Sequence, residues 1–514
     1  MPHVATEPVG PPLLQPWKRG VAMGRAFEIL RADAQSHIRL VQQEIGFESC
    51  RFHGLFHDDV GVAVRGEDGK LRFQWGHVDR IFDFLLSVGL RPFVELGPMP
   101  AALASGKQTF FHWHMNVTPP ADFEEWRLLV SEFAKHCVAR YGLSEVRQWH
   151  FEVWNEPNLD AFWSGTQEEY WRLYTVAAEA LKAVDTELKV GGPASAEALW
   201  IPDFLDYLRS SGAPCDFVST HAYPQNEFAN HPSRAESPHA PGMYFVDTVR
   251  RVRQQVQNWG GKPLELHFTE WSSLDAGDKD GVDWYANETI DQLYGAALVC
   301  HVCTQLDRDT DSLFWWVASD IFEEMGMPQS PFSNNFGMVT VDGWPKATFH
   351  AFRLLNRMRG PVVLQHTDPD LPTRGLVATR DGANTHILAW NHVPIGLPHG
   401  SWLIEVALPT GPEGGLATVC HVREGAGSAY EPWVAMGRPQ NPTPAQQEAL
   451  KAMSQPSYST HALNPDGDTL RIDLAPGEIW WAEVAGPPDP YVLKGVETTF
   501  TDAVNAALSA IPTS

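Results

Sequence analysis

Trp149-His-Phe-Glu-Val-Trp-Asn-Glu-Pro-Asn158 alternates polar and apolar side chains as far as Trp154 and then meets Pro157. Proline cannot donate to a central ladder, so the strand must stop at Asn155-Glu156. Seven more short β-like runs lie on either side of it: Gly20–Met23, Cys50–His53, Arg91–Leu96, Lys189–Gly191, Asp216–Thr220, Leu264–Thr269 and Ser312–Trp316. Helical patterns separate them. Val78, Ile81, Phe82, Leu85 and Leu86 fall on one helix face, and Ile290, Leu293, Tyr294, Ala297 and Leu298 repeat the spacing. A last helix is expected over Ala347–Met358. Eight strands, each followed by a helix, predict a (β/α)8 barrel over residues 17–359. A doubly wound open sheet would want a glycine fingerprint after the first strand, and Gly20-Val-Ala-Met-Gly24 is not one.

Beyond residue 359 the rhythm changes. Val362–Gln365, Gly375–Thr379, Thr385–Asn391, Trp402–Ala407, Thr418–Val422, Thr469–Leu474 and Glu478–Val484 are short, partly alternating runs between Gly, Pro and Asn/Asp. They predict an antiparallel β-sandwich over residues 360–497. Pro432–Pro456 reads as a long loop with one helical turn near Ala445–Met453. The Pro-rich residues 1–16 are expected to pack along the sandwich, and residues 498–514 to form a tail or a helix over Thr498–Ala510.

In such a barrel the strand C-termini build the active-site face. Glu156 ends the fourth predicted strand and Glu270, in Thr269-Glu270-Trp271, ends the seventh. A carboxyl shielded by Trp154 should have a raised pKa, because burial disfavours its charged form. Two carboxyls at one barrel mouth match the design of glycoside hydrolysis: one protonates the leaving oxygen, and the other attacks or activates water.

Trp149-x-Phe-Glu-x-Trp-Asn-Glu-Pro-Asn158 resembles the signature of family 39 of the glycoside hydrolases, a family of β-xylosidases and α-L-iduronidases. Arg51-Phe-His-Gly54, Thr220-His-Ala-Tyr-Pro224, Phe268-Thr-Glu-Trp271 and Ser319-Asp-Ile-Phe-Glu-Glu324 extend the likeness across the barrel. The resemblance implies that Glu156 is the acid/base and Glu270 the nucleophile. It implies that Asn155 bonds the sugar 2-hydroxyl, that Tyr223 orients the nucleophile, and that Trp316 is the sugar platform. His53 and His221 are expected to contact substrate hydroxyls; Glu323 and Glu324 are both candidate hydroxyl anchors, with Glu324 preferred and a loop ion pair the alternative for one of them, and Trp315 is expected to point elsewhere. The activity implied is retaining, exo-acting hydrolysis of β-D-xylosides or xylo-oligosaccharides. Alternatives are another retaining glycosidase, such as an α-L-iduronidase or a broad β-glycosidase, or a non-catalytic carbohydrate-binding barrel. The last would want Glu156 or Glu270 missing.

Composition narrows the partners. A net charge of −25 argues against nucleic acid and against an anionic membrane surface. The longest apolar runs are too short for a transmembrane helix. The N-terminal residues lack a basic and an apolar signal region, so a cytoplasmic setting is expected. Six cysteines suit free thiols, and Cys300-x-x-Cys303 sits in an apolar helical pattern without a second pair. His112-Trp-His114 offers two imidazoles and no third ligand, so it reads as an aromatic rim. No metal and no organic cofactor is expected.

Overall fold

A computed structural model describes residues 1–224, 240, 242–273, 289–324, 326–394, 397–410 and 414–485. The helix expected over Thr498–Ala510 lies outside the described residues. The barrel is closed and parallel, its strands neighbouring one another in chain order: β1 Val21–Arg25, β2 Ser49–His53, β3 Arg91–Leu96, β4 His150–Val153, β5 Lys189–Ser195, β6 Phe217–His221, β7 Glu265–Trp271 and β8 Ser312–Trp315. Among the described residues, eight helices of nine or more residues cover it: α1 Ala32–Glu44, α2 Gly76–Ser87, α3 Phe123–Tyr141, α4 Gln167–Val184, α5 Ile201–Ser211, α6 Tyr244–Asn258, α7 Tyr294–Gln305 and α8 Ala347–Leu355. Each follows a strand of the same number, as the alternating sequence predicts.

Local chemistry sets these elements. Helix α2 buries Val78, Ile81, Phe82 and Leu85 along one face. Helix α4 starts on a capping box, in which the Thr166 hydroxyl accepts from Glu169 N and Glu169 Oε2 accepts from Thr166 N. The repeat that predicted a helix from Ile290 is regular only from Tyr294; Ile290 instead packs beside Trp316 and Phe322.

Inward side chains form layers. The floor is aromatic: Phe93 lies 4.8 Å from Phe314 and 5.1 Å from His150, and Phe217 lies 5.2 Å from His267, between ring centroids. Gly191 makes room for this floor, since a Cβ there would stand 2.2 Å from the Phe217 carbonyl oxygen. Above the floor the inward positions turn charged, with Arg51, Glu95 and Glu152 on β2, β3 and β4.

The C-terminal sheet runs in the order β9 Pro361–Thr367, β10 Arg374–Asp381, β11 Asn384–Asn391, β16 Ile479–Ala485, β13 Gly415–Glu424 and β14 Ser457–Leu463. A two-stranded ribbon, β12 Trp402–Leu408 and β15 Asp468–Leu474, covers one face, sharing a core of Leu376, Ala378, Ile387, Ala389, Val406 and Ile472. Gly10–Pro12 adds an antiparallel edge strand beside β9, and Val4 is buried in the sandwich core. Where one helical turn was expected, two helices occur: α9 Tyr430–Ala435 and α10 Pro444–Met453, the latter capped by Thr443.

Candidate active site

Regular pairing of β4 ends where Val153 faces Leu96. Trp154 and Glu156 then adopt left-handed backbone, with φ of 71° and 45°, on either side of Asn155. Left-handed non-glycine residues cost about 1–3 kcal/mol each and persist where surroundings fix them. Here Glu156 N donates to Ala194 O at 2.8 Å, tying the turn to β5. Trp154 Nε1 donates to Phe162 O at 2.9 Å. The seventh strand runs two residues beyond its predicted end, through Trp271, with its register interrupted between Phe268 and Trp271. That interruption accompanies the inward placement of Glu270 beside His221.

The two carboxyls converge. One oxygen of Glu156, one of Glu270 and a ring nitrogen of His221 lie within 4.8 Å of one another. Arg51, wholly buried, holds the group together: Nη1 donates to Glu270 Oε1 at 2.7 Å, Nε to Glu152 Oε2 at 2.6 Å and Nη2 to Asn155 Oδ1 at 2.8 Å. Its Nη2 also stands 3.0 Å from Glu95 Oε2. The Tyr223 hydroxyl donates to Glu270 Oε2 at 2.8 Å. The Asn155 carbonyl accepts from Arg51, which fixes the orientation of its amide.

His53 Nδ1 contacts Glu95 Oε2 at 2.6 Å, and its Nε2 lies 3.5 Å from Glu270 and 3.9 Å from Glu324. The Trp316 ring stands 4.6 Å from the His53 ring. His221 Nδ1 is 2.8 Å from Glu156 Oε1. All eight residues singled out in the sequence thus share one mouth of the barrel. Glu323 pairs with Arg25 and Arg31, each at 3.0 Å, and holds the loop. Trp315 turns outward against Trp271 and Phe352. Trp113 packs under the Arg25 guanidinium, while His112 and His114 are exposed.

The electrostatics separate the two glutamates. Burial pushes the Glu156 carboxyl well above its ordinary range, and the charge of Glu270 pushes it further. Burial raises Glu270 as well, but Arg51, His53 and the Tyr223 hydroxyl all oppose it. A single proton shared by the pair therefore sits on Glu156. Burial, then the charge of Glu270, also raises Glu324 well above the carboxylate range.

Three functional side chains escaped the sequence reading: Arg51, Glu152 and Thr269. Arg51 and Glu152 each stand between apolar strand neighbours, but that pattern does not say which charges meet when the barrel closes. The guanidinium of Arg51 already supplies a cation to Glu270. At the opposite mouth His150, Glu265 and His267 also converge, and there Lys189 Nζ lies 2.8 Å from Glu265 Oε1. All six cysteines are free and buried.

Known proteins resemble the chain over most of its length. A β-xylosidase of Caldicellulosiruptor saccharolyticus is 37% identical over 468 residues, covering 90% of this chain and 94% of that one. A β-xylosidase of Geobacillus stearothermophilus is 36% identical over 474 residues, covering 89% and 90%. The solved structure of a family 39 β-xylosidase from Caulobacter crescentus superposes with a TM-score of 0.79 at 31% identity, covering 94% of this chain and 99% of that one. The model of glycosyl hydrolases family 39 matches residues 3–469, and the chain, a glycoside hydrolase, belongs to that family.

Proposed function

We propose that the protein is a retaining, exo-acting β-D-xylosidase in which Glu270 is the nucleophile and Glu156 the acid/base. The carrying observation is the approach of the two carboxyls to within 4.8 Å. Inverting enzymes keep theirs about 6.5–9.5 Å apart to admit a water, whereas retaining ones hold them near 5–5.5 Å. Arg51 and Tyr223 donate to the two oxygens of Glu270 and keep it an ionised, oriented nucleophile. Protonated Glu156 gives its proton to the glycosidic oxygen as the C1–O bond breaks and Glu270 bonds C1. The resulting Glu156 carboxylate then takes a proton from water, which attacks C1 and frees Glu270. The Asn155 amide is available to the sugar 2-hydroxyl, and Trp316 offers a flat apolar face beside His53.

The substrate class follows from the β-xylosidase relatives, matched over about nine-tenths of both chains. Aryl β-D-xyloside should turn over faster than the arabinoside, glucoside and iduronide. Proton NMR during the first minutes should show β-xylose ahead of mutarotation. Initial release of α-xylose would overturn the mechanism, and faster turnover of the iduronide would overturn the substrate.

A further inference from the structure

Behind Glu156 runs a chain of buried polar atoms that the reaction as described does not use. The Thr269 hydroxyl donates to Glu152 Oε1 at 2.8 Å. His221 Nε2 stands 3.1 Å from the same Thr269 oxygen. His221 Nδ1 stands 2.8 Å from Glu156 Oε1. All of these side chains are buried, and His221, Thr269 and Glu152 are wholly so.

The proton positions follow by elimination. Glu152 is ion-paired to Arg51 Nε at 2.6 Å, so it can only accept. Thr269 has one hydroxyl proton, and Glu152 takes it. The remaining partner of the Thr269 oxygen, His221 Nε2, must then be a donor. Burial, together with the Arg51 charge, holds His221 in its neutral form. A neutral imidazole carries one N–H, already assigned to Nε2. Nδ1 is therefore a bare acceptor, and its contact with Glu156 Oε1 is a hydrogen bond only when Glu156 carries the proton.

We propose that Thr269 and Glu152 are positioning residues that lock His221 in the Nε2–H tautomer, so that Nδ1 accepts a hydrogen bond from protonated Glu156 and opposes its carboxylate. The consequence is specific to this two-step reaction. Before glycosylation the acid form has a partner that the base form lacks, so the proton is held in place at neutral pH. After the proton leaves, the carboxylate faces the Nδ1 lone pair and is the stronger base toward the incoming water. His221 thus serves both halves of the cycle without itself changing charge.

Other charges reach the same carboxyl. Glu270, Glu197 and Glu95 raise it, and Arg51 lowers it. Tyr223 and Glu324 also face the pair, and His53 faces His221. Conservative changes at Thr269 leave all of these in place, so they isolate the tautomer.

The inference rests on Glu156 being the acid/base, and the test separates the two. Thr269→Val removes the acceptor that fixes Nε2–H. The Nδ1–H tautomer becomes accessible and donates to the Glu156 carboxylate, stabilising the base form. The alkaline limb of kcat/KM for an aryl xyloside should move down by about one pH unit, the worth of one charge-assisted hydrogen bond. Thr269→Ser should leave that limb where it is. A folded Thr269→Val enzyme with reduced kcat but an unmoved limb would overturn the proposal. Glu156→Gln should abolish the limb; if the limb persists there, the acid assignment fails and not the tautomer. Neutron diffraction from deuterated wild-type crystals needs no variant. It should show deuterium on His221 Nε2 and none on Nδ1, and deuterium on Nδ1 would overturn the proposal outright.

Discussion

Two buried carboxyls within 4.8 Å of each other ionise together only at high cost, and their other contacts decide which keeps the proton. Glu270 has a guanidinium and a phenol, and Glu156 has an imidazole. The two should therefore fail differently. Glu156→Ala should slow an aryl xyloside in proportion to leaving-group pKa, within the roughly 10²–10⁴-fold worth of acid–base help. Azide should rescue it as β-xylosyl azide, by two inversions. Glu270→Ala should be severe for every leaving group, with azide giving the α-azide. The reverse anomers by NMR would exchange the two roles. Glu156 also carries a stability consequence. Its folded-state pKa lies above the unfolded value, so the native state binds the extra proton between them. That contribution is complete below the unfolded carboxyl range and is lost as pH rises through the folded value. Glu156→Gln, a neutral isostere, should therefore raise Tm, with a gain of roughly 1 °C per kcal/mol that widens from acid toward alkaline pH. A gain that shrinks with pH in scanning calorimetry would contradict the assignment.

At the scale of elements, the site depends on a long loop after β8 that carries Trp316 and Glu324. A buried ammonium pins it. Lys346 Nζ lies 2.5 Å from Asp291, 2.7 Å from Asp320 and 2.8 Å from Asn335 O. The two aspartates accept in turn from Asn334 N and Gly337 N, at 2.6 Å and 2.7 Å. Removing one member of a buried ionic group costs about 3–5 kcal/mol, because its partners remain charged and unpaired. Lys346→Met should lower Tm by about 3–5 °C, at roughly 1 °C per kcal/mol for a chain of this length, and raise KM more than it lowers kcat. An unchanged Tm would show that the triad is dispensable. The sequence displayed the barrel strands because their outward faces are apolar and alternate with inward residues. It hid β14, Ser457–Leu463, whose side chains are largely exposed, with Tyr458 at 51%. Pairing with β13 makes that segment a strand, and no local pattern announces it. Glu156 and Glu270 were legible because each stands at a strand end beside tryptophan. Arg51 was not, because its partners are 101 and 219 residues away and meet it only when the barrel closes.

For the whole molecule, the central strands of the large sheet are buried on both faces. Leu376, Ala378, Ile387 and Ala389 point into the ribbon, while Val377, Leu388, Trp390 and Trp481 join the core of the barrel helices. Helix α7 shows the reciprocal pattern, with every residue from Gly295 to Thr304 buried. A helix that is apolar all round needs cover on every side. Helices α6 and α8 flank it, and β10, β11 and β16 lie along its other side. The Cys300-x-x-Cys303 pair belongs to this packing, two small buried thiols one turn apart on the same helix. Sandwich and barrel therefore share their hydrophobic stabilisation, and neither should unfold alone. Intact protein should give one cooperative calorimetric transition, with loss of activity and of far-ultraviolet dichroism coinciding. A fragment of residues 17–359 keeps every proposed catalytic side chain but uncovers α7 and the apolar faces beside it. Exposed patches of that kind drive aggregation. The fragment should be insoluble or should bind a hydrophobic dye without cooperative unfolding. A soluble, active fragment, or two resolved transitions in the intact chain, would show that the barrel is self-sufficient.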